Sequence, residues 1–438
     1  MFRSRDTESF SAAVGEATSS LNARNQSAGV QAPGRKTLKI AMLAPPWIPI
    51  PPPAYGGVES VVAVLCDQLS RRGHSVTLFA APGSESSAEI RTPLSKADEH
   101  FMGMAIGESD HVARAFAEVD AAAAEGMPFD LVHDHCGATA IAMADRLHTP
   151  MVHTLHNPVT GAFADLYEHH GHKVCTVALS RSQLRSAPAA MRSSPVIPNP
   201  IDVDNWPFRR AKDDYLLWIG RMAPCKGPQR AIEVARLASR PLVLAGPVQT
   251  PDRAFFEAEV RPHIDGNDVS YIGSVGGSVK ADLFARAAAL LMPIRWPEPF
   301  GMVMIEALAC GTPVVAFPQG AAEEIVIDQE NGFLVADEGE MADAVRQLES
   351  IDPAACRLSA SGRYDGALVA AAYERVYFDL AAPRPLPLSS DLRPGRRAAA
   401  HRGLGPQSQP ADYAPLFSLD VIEGAYSETR KTASSRSC

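Results

Sequence analysis

The stretch Pro297-Glu298-Pro299-Phe300-Gly301-Met302-Val303-Met304-Ile305-Glu306-Ala307-Leu308-Ala309-Cys310-Gly311-Thr312-Pro313-Val314-Val315-Ala316 reads as a loop, a helix and a buried strand in succession. Pro297 and Pro299 fix φ and withhold N–H donors, so Glu298 stays outside a helix. From Gly301 onward a helix can start, and its first N–H groups have no partner within it, which makes that end attractive to an anion. Glu306 then lies little more than one turn inside. Pro313–Ala316 is a short apolar run of the kind buried on both faces of a parallel sheet.

The same rhythm runs outward in both directions. Toward the N-terminus, Lys39–Ala44, Ser75–Ala80, Asp130–His133, Met151–Leu155 and Val174–Leu179 read as strands. Val58, Val61, Val62, Leu65, Cys66 and Leu69 have helical spacing. After a linker around Pro198–Arg210 the pattern restarts with Tyr215–Ile219 and a helix over Gln229–Leu237. It continues through Pro241–Ala245, Val269–Ile272, Ala289–Met292, Pro313–Ala316 and Gly332–Val335. Strands alternating with helices predict an α/β chain with two Rossmann-like doubly wound domains. The expected boundaries are 37–207 for the first domain, 208–362 for the second and 363–381 for a closing helix. Residues 1–36 and 382–438 lack hydrophobic periodicity and are expected to be disordered extensions.

Bulk properties narrow the function. The chain has 438 residues, 46% hydrophobic and 21% charged, with a net charge of -9. About +2 falls on residues 1–36 and about +3 on 382–438, leaving the middle near -14. Such a surface disfavours nucleic acid as a partner. No apolar run reaches the roughly 18–20 residues of a membrane span, and the N-terminus has no apolar core followed by a cleavage site. The seven cysteines include no C-x-x-C pair, which suits reduced thiols in a cytoplasm. The cluster Arg393, Arg396, Arg397 and Arg402 is a candidate for peripheral contact with an anionic membrane, against a solvated tail.

In open α/β sheets ligands sit beyond the carboxyl ends of strands, and three loops there carry chemistry. Pro51–Glu59 (PPPAYGGVE) ends in Gly56 and Gly57 at a helix start, where the backbone can approach a phosphate; a tight turn is the alternative. Gly220–Gly227 (GRMAPCKG) places Arg221 and Lys226 where two cations can neutralise a diphosphate; a solvated basic loop is the alternative. In the opening stretch, Glu306 can accept hydroxyl hydrogen bonds from a ribose and Glu298 can reach a sugar. His156 ends the strand of His153-Thr154-Leu155-His156-Asn157, and His133-Asp134-His135 ends another. His133-Asp134-His135 with His153 or His156 is a candidate metal site. Imidazoles two apart at a strand end are expected to point to opposite sides, and no carboxylate spacing completes a site, so no metal is expected.

Taken together, PEPFGMVMIEALACGTPVVA, GRMAPCKG and GGVE resemble the family 4 retaining glycosyltransferases of the GT-B fold, over about residues 38–380. The resemblance implies that Gly57 touches a donor phosphate, that Arg221 and Lys226 hold the diphosphate, and that Gly301, Met302 and Val303 add backbone N–H groups. It implies Glu306 on the ribose, Glu298 on the donor sugar, and His156 near the anomeric carbon. It also implies a final helix crossing back onto the first domain, and a nucleotide-sugar donor held without metal or other cofactor. The hydroxyl acceptor, whether saccharide, lipid or small molecule, is expected on the first domain near His133, His135 and Asn157. The sequence departs from the family pattern at Pro200, where a glycine is usual, and at Cys225, where an acidic residue is common. A nucleotide-sugar epimerase of the same fold and a non-catalytic nucleotide-sugar-binding subunit are the alternatives.

Overall fold

The computed structural model describes residues 37–97 and 105–382. The expected disordered ends and the arginine cluster at 393–402 lie outside these residues. The first sheet contains β1 (Lys39–Leu43), β2 (Ser75–Phe79), β3 (Glu89–Arg91), β4 (Leu131–Asp134), β5 (Met151–Thr154) and β6 (Cys175–Val177). All pairs are parallel, in the order β3-β2-β1-β4-β5-β6, and Ile40 lies in register between Val76 and Leu131. Helices α1 (Gly57–Arg71) and α2 (Ala105–Ala124) cover its faces. On α1, Val61, Val62, Leu65, Cys66 and Leu69 are buried, the stripe that helical spacing predicts.

The second sheet repeats the plan with β7 (Leu216–Ile219), β8 (Leu242–Ala245), β9 (Val269–Tyr271), β10 (Ala289–Met292), β11 (Val314–Ala316) and β12 (Gly332–Leu334), in the order β12-β11-β10-β7-β8-β9. Its helices include α3 (Pro228–Ala238), α4 (Gly277–Arg286), α5 (Met302–Ala309) and α6 (Pro353–Tyr364). In each sheet the strand order reverses once, between β1 and β4 and between β7 and β10, which opens a crevice at the carboxyl ends. Both crevices face the same cleft.

One strand escaped the sequence reading. β3 is a three-residue edge strand whose Glu89 and Arg91 are exposed, so it has no buried apolar run to announce it. The domain boundaries also shift. Ile201 and Val203 pack in the second core, and the Arg357 guanidinium donates to the carbonyls of Val203 (3.0 Å) and Trp206 (2.8 Å). The crossing therefore lies upstream of the expected 207/208. The closing helix α7 is Gly366–Ala381, since Asp365 breaks the chain after α6 and caps α7 by accepting from Ala367 N. Val369, Ala370, Tyr373 and Tyr377 of α7 join the first domain's core beside Ile40, Leu65 and Leu131. Glu374 anchors the helix there through Arg72 (2.5 Å) and His74 (3.0 Å).

Candidate active site

Between the two crevices lies a cavity of about 490 Å³, a volume suited to a small-molecule ligand. Its first-domain wall includes Gly56, Gly57, Glu59, His135, His156 and Asn157; its second-domain wall includes Arg221, Lys226, Lys280, Glu298, Glu306 and Gly301–Val303. The sequence-predicted residues are thus gathered in one place, with a single exception.

Two helix ends meet across the cleft. A Cβ built on Gly57 at the start of α1 would lie 3.9 Å from Met302 at the start of α5. Gly301 caps α5 with φ 87°, a left-handed conformation that favours glycine; its carbonyl accepts from Met304 N–H (3.1 Å), which leaves the N–H groups of Met302 and Val303 without helical partners. The loop at Pro53–Ala54 presses so closely on the start of α4 that a Cβ on Gly276 would fall 2.4 Å from the Pro53 carbonyl. The walls are therefore held in close contact at this edge.

Each cation of the second wall has a carboxylate partner. Lys226 pairs with Glu298, whose Oε2 also accepts from the Trp296 indole N–H at 2.7 Å. The Lys226 ammonium stands 4.3 Å from the centre of the Trp296 ring. Arg221 pairs with Asp252 at 3.2 Å, and Lys280 with Glu306 Oε1 at 2.6 Å. Glu306 is 3% exposed, and its Oε2 is buried without a hydrogen-bond partner. Lys280 and Asp252 were missed by the sequence reading: Lys280 stands at the start of α4 behind Gly276 and Gly277, a glycine pair that reading did not take up, and Asp252 lies in the short helical turn after β8 outside any motif it singled out.

The histidines divide differently from expectation. His156 Nε2 and His135 Nδ1 share a hydrogen bond of 2.8 Å, and both residues line the cavity. Burial pushes His156 down to about 3 and His135 well below the usual imidazole range, so both are neutral at neutral pH. His133 is the exception among the predicted site residues. It is fully buried, with Nε2 on Thr154 Oγ1 (2.8 Å) and Nδ1 on Tyr377 OH (2.6 Å), and cannot meet an acceptor. Nor do His133 and His135 diverge. Residues two apart on a strand share a face, and their ring centres are 4.1 Å apart. His153 is taken up by Asp134 (2.6 Å) and Tyr167 (3.2 Å). Among the described residues, no group of three or more His, Cys, Asp or Glu side chains is placed to hold a metal ion. Nor is any described helix long and apolar enough to cross a membrane.

Comparison with known proteins agrees with this geometry. Residues 55–205 match the family described as Glycosyltransferase Family 4, and residues 203–364 match Glycosyl transferases group 1. A glycogen synthase of Mycobacterium tuberculosis is 27% identical over 393 residues, covering 76% of this chain and 93% of that protein. A D-inositol 3-phosphate glycosyltransferase of Mycolicibacterium smegmatis is 27% identical over 427 residues, covering 84% and 97%. Among solved structures, AviGT4, a glycosyltransferase involved in avilamycin A biosynthesis, superposes with a TM-score of 0.64 at 29% identity, over 79% of this chain and 99% of that one. Anabaena HepE in complex with UDP-glucose shares the fold, with a TM-score of 0.58 at 20% identity over 78% and 100%. With two doubly wound domains enclosing one cleft and a family match on each side of it, this protein belongs to the family 4 glycosyltransferases of the GT-B fold.

Proposed function

We propose that the cleft transfers a sugar from a nucleoside diphosphate donor to a hydroxyl group, with retention of anomeric configuration and without a metal ion. The observation that carries this reading is the convergence of Arg221, Lys226 and the α5 N-terminus on one wall, opposite the α1 N-terminus and His156. Breaking the bond between the anomeric carbon and the diphosphate oxygen leaves its electron pair on the leaving group. Arg221 offers a forked donor, Lys226 a point charge, and Met302 and Val303 fixed N–H groups for that developing charge. The HepE complex with UDP-glucose supports a nucleotide-sugar donor.

The other roles follow from which atoms are available. Glu306 Oε2 has no protein partner, so it can accept a ribose hydroxyl while Lys280 holds Oε1. Glu298, turned into the cleft by its loop, serves the donor sugar. His156 is neutral and so supplies a hydrogen bond or a lone pair near the anomeric carbon rather than a proton. Asn157 lines the acceptor side.

A panel of UDP-, GDP-, ADP- and TDP-sugars read by thermal shift identifies the donor, because a ligand bound at 100 times its Kd stabilises by about 2.7 kcal/mol. With that donor, NMR of the product anomer is expected to show retention. An inverted product would overturn the stereochemical part of the reading, and epimerisation of donor alone would replace transfer with another reaction.

A further inference from the structure

Resting on the glycosyl-transfer reading of the cleft, we propose that the acceptor is an uncharged polyhydroxyl compound, a saccharide or polyol bearing no phosphate, one of whose hydroxyls hydrogen-bonds to Glu59. Every Lys and Arg among the described cavity-lining residues, namely Arg221, Lys226 and Lys280, stands on the second domain. The first-domain wall carries instead the neutral imidazoles of His135 and His156, the aromatic rings of Trp47 and Tyr55, and the carboxyl group of Glu59.

Glu59 carries the argument. It is only 5% exposed, it lines the cavity, and among the described residues its carboxyl group makes no hydrogen bond or ion pair with another side chain. Burial raises its pKa to about 7, opposed only by its own backbone N–H, so no cation nearby offsets the loss of water. A glutamate in the first turn of a helix commonly serves the helix dipole from the surface. Held in a cleft wall with only its own backbone N–H as partner, this carboxyl has acceptor capacity left for a ligand that completes its hydrogen bonding. A hydroxyl does so as donor to the carboxylate. Apart from the α1 N-terminus, which faces the donor, a phosphate on the acceptor would find no side-chain cation on this wall, and the Glu59 carboxylate would oppose it.

The test uses the full chain loaded with the nucleotide sugar found by thermal shift. Transfer and saturation-transfer NMR binding are compared for glucose, maltose and myo-inositol against glucose 6-phosphate and myo-inositol 3-phosphate. The neutral compounds are expected to be at least tenfold better acceptors by kcat/KM. Glu59→Gln, which keeps shape but loses the charge, is expected to raise the acceptor KM about tenfold. The wild-type panel decides even if that variant folds poorly. Phosphorylated compounds binding as well as or better than neutral ones, no binding of either set, or an unchanged acceptor KM in Glu59→Gln would each overturn the proposal. A protein that binds neutral compounds but no nucleotide sugar would instead sink the donor reading and leave the acceptor class standing.

Discussion

Glu306 is nearly sealed from water, yet only one of its two oxygens has a partner, the Lys280 ammonium. A buried carboxylate needs its cation more than the cation needs it, since Lys280 keeps 21% of its side chain in water. Replacing Lys280 by Met should therefore lower stability by on the order of 2 kcal/mol, below the figure for a fully buried pair because of that exposure. Urea titration checks this. The same variant should also show a smaller nucleotide-induced rise in Tm than wild type, since Glu306 loses the group that fixes its orientation. At this scale the sequence was only partly legible. Glu298, Glu306, Arg221 and Lys226 stood out because each follows a strand or opens a helix. Lys280 lies 26 residues from its partner, a separation no local pattern spans. His133 sat in a strand-end motif like His135, but its surroundings come from α7, at Tyr377 and Tyr373.

Helix α7, the last described helix, packs against the strand ends that present His135 and His156. Tyr377 donates or accepts at His133 Nδ1, and Tyr373 meets Thr154 Oγ1 at 2.9 Å, so strands β4 and β5 are bound to the helix by buried hydrogen bonds. Tyr377→Phe leaves His133 Nδ1 unpaired in the interior and should cost about 1–3 kcal/mol, visible as a lower denaturant midpoint. Acid acts on the same domain. Burial lowers His111 to about 4 and His156 to about 3, with His133 and His135 also well below their ordinary value. The folded pKa values lie under the unfolded value of about 6.5, so the unfolded chain binds the extra protons and stability rises with pH across this window. Stability should therefore be flat in these groups above about pH 6.5 and fall below it, by up to about 1.4 kcal/mol per pH unit for each histidine that stays neutral. Urea midpoints from pH 7.5 to pH 5 check the sign; a protein more stable at pH 5 than at pH 7 would contradict it. Glu59, raised by burial from 4.5 to about 7, works the other way between those values and offsets part of the slope that the four histidines produce.

Across the whole molecule, the two domains are tied at the rim of the cleft. Glu324 of the second domain accepts from the backbone N–H groups of Arg181 (3.0 Å) and Ser182 (2.7 Å) in the first. Ser180 Oγ donates to the Pro299 carbonyl at 2.8 Å, next to Glu298, and Arg185 pairs with Glu323 at 2.8 Å. Glu324→Ala removes the acceptor of both N–H groups and should shift the balance toward a more open arrangement by about 1 kcal/mol, roughly a fivefold change in population. Small-angle scattering should record a larger radius of gyration, and the donor KM should rise.

The doubly wound architecture was readable because parallel strands buried on both faces appear as short apolar runs, as at Ala289–Met292 and Val314–Ala316. The exposed edge strand β3 and the tie through Glu324 were not, because neither depends on a run of like residues. The boundary near Ile201 was hidden for the same reason, since Arg357 reaches it from more than a hundred residues away.

The central claim is that the second-domain wall stabilises charge developing on a leaving diphosphate, with Lys226 directly on it. Turnover of Lys226→Ala, measured under saturating donor with folding confirmed by circular dichroism, tests this most directly. The account predicts a loss of roughly 10²–10³ in kcat, the range for removing one well-placed donor to transition-state charge; turnover near that of wild type would contradict it.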